Sequence, residues 1–164
     1  MSDGIRNFMD NKNRDQFILS KLHEVLERRE RVLDLSYERL GDAGITFLAR
    51  RADLSHIKEL NLSWNELGDF GVQALVGNSS LVNLKILNLG SNQITNIGAV
   101  ALAKSHHLPK LKIIGLGFNQ VGGLGALHLV KSSTLGNLEF LDFSIEYLLS
   151  PTIGHPKSSK CFLI

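Results

Sequence analysis

Apolar residues recur along this chain at a fixed interval. Aligned on the pattern L-x-x-L-x-L-x-x-N-x-L, segments start at Glu30, Ile57, Leu84, Leu111 and Leu138, each 27 residues after the last. The fourth position reads Leu33, Leu60, Leu87, Ile114, Leu141, and the sixth reads Leu35, Leu62, Leu89, Leu116, Phe143. These two positions alternate with polar neighbours, the period-two signature of a short strand with one buried face. The ninth reads Glu38, Asn65, Asn92, Asn119, Glu146, and the eleventh Leu40, Leu67, Ile94, Val121, Leu148. An Asn amide both donates and accepts, so stacked Asn side chains at this turn can satisfy backbone groups of adjacent repeats. Further columns follow: Gly44, Gly71, Gly98, Gly125; Leu48, Leu75, Leu102, Leu129; and Leu54, Leu81, Leu108, Leu135.

The second half of each repeat carries apolar residues at helical spacing, as in Ala43–Ala49 and Val72–Val76. The pairs Gly41-Asp42 and Gly68-Asp69 mark the turn before it, and each Asp is placed to cap the helix that follows. The Gly column is expected where helix and strand layers approach closely. An array needs covered ends, because a terminal repeat has no neighbour for its core. Residues 15–29 supply a helix with Phe17, Ile18, Leu22, Val25 and Leu26 on one face, an N-terminal cap. Glu38 and Glu146 replace Asn in the outermost repeats, as atypical terminal repeats do. After Leu148-Leu149 the chain meets Ser150-Pro151 with no helical half-repeat, so the last strand is expected to present an open parallel edge. Glu139, Asp142 and Glu146 would guard that edge against further pairing.

Through these columns, over residues 30–148, the chain resembles the leucine-rich repeat family, in its ribonuclease-inhibitor-like class. The resemblance implies an α/β solenoid, with a curved parallel sheet on the concave side and helices on the convex side. It implies a binding protein, not an enzyme. The organisation read from the repeat is a segment and capping helix at 1–29, five repeats at 30–149 with the last truncated, and a tail at 150–164.

Charge and composition narrow this reading. Of 164 residues, 29 are Leu and one is Cys, which excludes an intramolecular disulfide framework and a multi-thiolate zinc site. The formal net charge of +2 is too small for a protein that tracks nucleic-acid phosphates. Charge is unevenly placed, however: residues 70–138 carry five lysines and no acid. Lys85 and Lys112 share the second repeat position and admit a basic stripe, although the five lysines read more simply as a solvated face. No apolar run is long enough to span a membrane, and no apolar core follows Met1 to suggest a classical signal peptide. The six histidines include no i, i+4 pair with an acid, and the Gly-rich turns lack a following Lys-Ser/Thr, so neither a metal site, a cofactor nor a small-molecule substrate is expected. No nucleophile, base and orienting group fall together in the repeat frame.

The tail has its own logic. Residues 150–160 hold Pro, Gly, Ser and Lys with little to bury, and read as a linker. Cys161-Phe162-Leu163-Ile164 then matches the C-a-a-X pattern for prenylation at Cys161. That implies a prenyltransferase as a partner and attachment to the cytosolic face of a membrane. One isoprenoid with Lys157 and Lys160 beside it gives reversible attachment.

Positions three, five, seven and eight of each repeat are expected to face away from the core. Among them Tyr37, Trp64, Ile86, Ile113, Phe118 and Phe140 form an apolar, aromatic-rich group, and Gly90, Gly115 and Gly117 are expected to leave backbone open beside it. Aromatic side chains dominate interface hot spots, so these six residues are the candidate site for a protein ligand on the concave face. The function expected is a non-catalytic interaction module, membrane-tethered through Cys161, with an effector exported by an intracellular bacterium as one setting. The alternatives are a GTPase-activating type of regulator, by analogy with the fold alone, and a soluble scaffold with an incidental cysteine. The oligomeric state is left open.

Overall fold

The computed structural model describes residues 11–143 and 161–163. Helix α1 spans Asn11–Glu27, and four strand–helix units follow: β1 (Val32–Asp34) and α2 (Gly41–Arg51), β2 (Glu59–Asn61) and α3 (Asp69–Val76), β3 (Ile86–Asn88) and α4 (Asn96–Ala103), β4 (Ile113–Gly115) and α5 (Gly123–Val130). β5 (Phe140–Asp142) opens a fifth unit, and β6 (Cys161–Leu163) lies beside it. β1 to β5 form a parallel sheet in chain order, and the partners in register are 27 residues apart: Leu33, Leu60, Leu87, Ile114 and Leu141 stand side by side.

One core runs the length of the array. The central residues of β1 to β5, the sixth-position leucines and the helix columns Leu48, Leu75, Leu102 and Leu129 are all buried in it, as are Leu54, Leu81, Leu108 and Leu135. Because each repeat closes only against its neighbours, truncating one such leucine opens a cavity shared by two repeats, at a cost of about 2–5 kcal/mol. At the N-terminal end, Ile18, Leu22 and Val25 of α1 enter the same core, with Phe17 packed at its margin. Leu26 departs from the expected face and is exposed.

The Asn ladder is present. Asn92 Oδ1 accepts from the N–H groups of Asn65 and Leu67 at 2.9 and 3.0 Å, while its Nδ2 donates to the carbonyls of Leu62, Leu89 and Gly90. Asn65 and Asn119 repeat the arrangement one repeat on either side. Each amide thus closes its own turn and the turn of the repeat before.

Two expectations about the helix ends are corrected. Asp42 lies inside the first turn of α2, so it cannot reach back to that helix's own orphan N–H groups. Its Oδ1 instead accepts from Gly68 and Gly71 N–H at the start of α3, at 2.7 and 3.0 Å. Asp69 does the same for α4 through Thr95 and Gly98, and Asn96 for α5 through Gly122 and Gly125. The starts of α3, α4 and α5 are thus each capped from the preceding repeat, α4 also by its own Thr95, whose hydroxyl oxygen accepts from Ile97 N–H. This also corrects the reason for the Gly column: a Cβ on Gly98 would lie 2.6 Å from Asp69 Oδ1 and 2.7 Å from Ile94 Cγ2. At Gly71, Gly98 and Gly125 the capping side chain of the preceding repeat is among the groups that need the space, whereas a Cβ on Gly44 would meet Leu40 and Arg14.

The C-terminal edge is a further correction. β5 is not left open, because β6 pairs with it antiparallel, setting Phe140 opposite Leu163 and Asp142 opposite Cys161. The unpaired N–H and C=O groups of a terminal strand are a template for such pairing. The acids expected to guard that edge are otherwise engaged: Glu139 pairs with Lys112 and Asp142 is buried. Ile145, Glu146, Leu148, the linker at 150–160 and Ile164 lie outside the described residues.

Candidate functional site

Of the sheet positions expected to face outward, only some do. Positions five and seven are closed into local turns. Asp34 Oδ1 accepts from the N–H and hydroxyl of Ser36, and Asn61 Oδ1 does so from Ser63. Asn88 Oδ1 accepts from Gly90 N–H at 3.0 Å. Ser63 is buried, and so are Gly90, Gly115 and Gly117, contrary to the expectation of open backbone there. A Cβ on Gly115 would sit 3.0 Å from Asn88 Oδ1, so this glycine makes room for its neighbour's turn.

The surface that remains consists of separate columns. Position three brings Ile86, Ile113 and Phe140 onto adjacent strands in register, each half-buried, with Val32 exposed and Glu59 between Val32 and Ile86. Strand spacing puts these neighbours about 4.8 Å apart, close enough for side chains to touch.

Position eight carries the aromatics, and its backbone is unusual. Tyr37, Trp64, Ser91 and Phe118 all have positive φ, at 65°, 58°, 53° and 53°. Large side chains rarely adopt this left-handed conformation, which costs on the order of 1 kcal/mol or more at each residue. The ladder over-determines it: Tyr37, Trp64 and Ser91 donate their N–H groups to the carbonyls of Ser63, Gly90 and Gly117 in the next repeat. Held this way, the rings stand out from the core: Tyr37 is 63% exposed, Trp64 45% and Phe118 48%. Tyr37 and Trp64 stack with centroids 5.5 Å apart and planes 13° from parallel. Phe118 does not join them, because Ser91 occupies the position between. The six candidate residues thus fall into three groups: the Tyr37–Trp64 stack, the Ile86–Ile113–Phe140 row, and Phe118.

Two features of the surface escaped the sequence reading. The second-position column is longer than Lys85 and Lys112: it reads Arg31, Lys58, Lys85, Lys112, then Glu139. On the helix side, Phe70, Ile97 and Leu124 are exposed and also 27 residues apart, beside a groove of about 450 Å³ lined by Val100, Ala101 and His128. Reading all 27 columns, polar and exposed ones included, would have found both.

Glu38, which begins the ninth-position column, has its carboxyl raised above the ordinary range by burial; Lys21 opposes this and Asp34 adds to it. Among the described residues no cluster of metal-ligating side chains forms, and no helix is long and apolar enough to cross a membrane.

Comparison with known proteins agrees with the repeat. Residues 53–76 and 80–103 each match the family described as Leucine Rich repeat, which supports a leucine-rich repeat protein and, with it, a protein-interaction module. No curated protein matches the chain. Among solved structures, a chain of the Chaetomium Mex67:Mtr2 subunits is similar in fold. It is 18% identical, with a TM-score of 0.55, over 81% of this chain and 90% of that one. At that identity the likeness concerns the fold alone.

Proposed function

We propose that this chain is a non-catalytic binding module whose repeats, capped by residues 1–29, form a curved solenoid with a protein ligand on the concave sheet face. The contact residues are Trp64 and Tyr37 at one rim, Phe118 farther along it, and Ile86, Ile113 and Phe140 across the strands. The observation that carries this reading is the Tyr37–Trp64 stack on left-handed backbone. Folding alone gains little from two half-solvated rings held in a costly conformation, whereas a partner that covers them gains rigid aromatic area with few torsions to freeze. A Trp64→Ala, Phe118→Ala double variant tests this. Both side chains are exposed, so the variant should fold normally and lose partners that the wild type retains in a pull-down. Retention of every partner by the folded variant counts against the reading.

A second reading concerns Cys161, the sole cysteine, followed by Phe162-Leu163-Ile164. It is prenylated, and the lipid holds the module at the cytosolic face of a membrane. Because Cys161–Leu163 pairs with β5, modification requires that strand to leave the sheet. Intact mass after expression in eukaryotic cells is the test: an added isoprenoid mass supports the reading, and an unmodified chain rejects it.

A further inference from the structure

The second-position column bears on what kind of partner the sheet face accepts. Arg31, Lys58, Lys85 and Lys112 occur at 27-residue intervals, immediately before the in-register residues Val32, Glu59, Ile86 and Ile113. Their backbones are in step as well. The carbonyls of Arg31, Lys58, Lys85 and Lys112 each accept two N–H groups from the following repeat. Four cations therefore stand at strand spacing, about 4.8 Å apart. Like charges directly opposite one another on neighbouring strands are destabilising, so a fold selected only for stability would alternate their sign.

Among the described residues, Lys112 is the one member of the column in an ion pair. Its Nζ meets Glu139 Oε1 at 2.5 Å, and Glu139 is the next residue of the same column. The chain thus shows, at the C-terminal end of the column, the complement that the other three cations lack: a carboxylate one strand spacing away. No acid occurs in residues 70–138, and Glu59, on the neighbouring strand beside Ile86, forms no ion pair with Lys85.

Resting on the reading of the sheet face as a protein-binding surface, we infer that the Arg31–Lys58–Lys85–Lys112 column, with Lys112 shared between Glu139 and the partner, seats the acidic edge of an amphipathic α-helix from the partner. Three strand steps span about 14 Å, the length of about ten helical residues. Carboxylates at i, i+3, i+7 and i+10 of a helix lie on one face at intervals of about 5–6 Å, which matches the column. The adjoining stripe of such a helix falls on Val32, Glu59, Ile86 and Ile113, in the neighbouring position, and is apolar except where it meets Glu59. An extended acidic peptide fits less well, because residues on one side of a strand recur at about 6.6–6.8 Å.

The test uses the purified chain and a synthetic helical peptide with Glu at i, i+3, i+7 and i+10 and Leu along the adjoining face. Affinity is measured by fluorescence anisotropy at low and at physiological salt. Binding that weakens with salt is expected, as is a loss of at least tenfold in Lys58→Glu, Lys85→Glu. Lys104→Glu, Lys131→Glu makes the same change of net charge at the C-terminal ends of α4 and α5 and should leave affinity within twofold. The inference is overturned if the peptide fails to bind, or if the two double variants lose affinity equally. It is also overturned if a single-stranded oligonucleotide or anionic vesicles compete as well as the peptide does, which would mark a general polyanion surface. Failure here with partner loss still seen in the Trp64, Phe118 variant rejects the helix and leaves the binding surface standing; no loss in either rejects both.

Discussion

Replacing Asp69 with Ala probes how the repeats hold one another. The carboxylate accepts three hydrogen bonds from the start of α4: Thr95 N–H at 2.8 Å, Gly98 N–H at 2.8 Å and the Thr95 hydroxyl at 2.6 Å. Loss of an ordinary N-cap costs about 0.5–2 kcal/mol, and hydrogen bonds to a charged acceptor lie at the upper end of the usual range. Against this, the site is only part-buried, so water recovers some of the loss, and Thr95 Oγ1 still receives Ile97 N–H. The net expectation is about 2 kcal/mol. With a urea m-value of about 2 kcal/mol/M, the midpoint falls by about 1 M. Asp69→Asn should lose less than half as much, because Asn96 performs the same task for α5 with a neutral amide. Urea titration followed by circular dichroism gives the midpoints, and hydrogen exchange at the Thr95 and Gly98 amides locates the damage. An Asp69→Ala midpoint within 0.2 M of wild type, on the scale of that ~1 M shift, refutes the inter-repeat cap. Equal losses for Ala and Asn would refute the claim that acceptor geometry, more than charge, does the capping.

Three other outcomes follow from the same geometry. Asn92→Ala strands two N–H groups and takes one donor from each of three carbonyls, of which those of Leu89 and Gly90 keep a second, and should cost about 3 kcal/mol, exceeding Asn119→Ala, whose Oδ1 accepts a single N–H; chemical denaturation ranks the two. Glu38 has a raised pKa, so its stabilising contribution is complete below the unfolded value of about 4.5 and is lost as pH rises through the folded value. Glu38→Gln should accordingly be neutral or stabilising at pH 7, with the difference shrinking as pH falls toward 4, as read from thermal midpoints across that range. Trp64→Asn places a residue tolerant of positive φ where Trp pays for it, so the thermal midpoint should hold or rise while partner binding is lost.

Much of this architecture was legible because burial and repetition act on the same residues. Leu33, Leu60, Leu87, Ile114 and Leu141 could be assigned to one buried row before any coordinates, since a strand that exposed them would have no stable alternative. The Asn at position nine was equally readable, because few side chains can close two turns at once. Asp42 and Asp69 misled for a physical reason: a cap is ordinarily local in sequence, and nothing in one repeat reveals that its acceptor serves the next. The left-handed backbone at Tyr37, Trp64 and Phe118 was hidden because its usual markers, Gly and Asn, are missing there; at Tyr37 and Trp64 it is held by N–H groups that donate to carbonyls of the following repeat. The outward positions were over-counted, since Asp34, Asn61 and Asn88 turn their oxygens back onto their own chain. The pairing of β6 with β5 depends on a contact between segments distant in sequence, which periodicity does not encode.

The most direct test of the binding face uses a photo-crosslinking amino acid placed in turn at Ile113, on the open sheet, and at Ile97, on the exposed helix side. On irradiation with partners present, position 113 is expected to give a covalent adduct that Trp64→Ala, Phe118→Ala abolishes, and position 97 to give none. An adduct from position 97 alone would move the binding surface to the helix column of Phe70, Ile97 and Leu124 and refute binding on the sheet face.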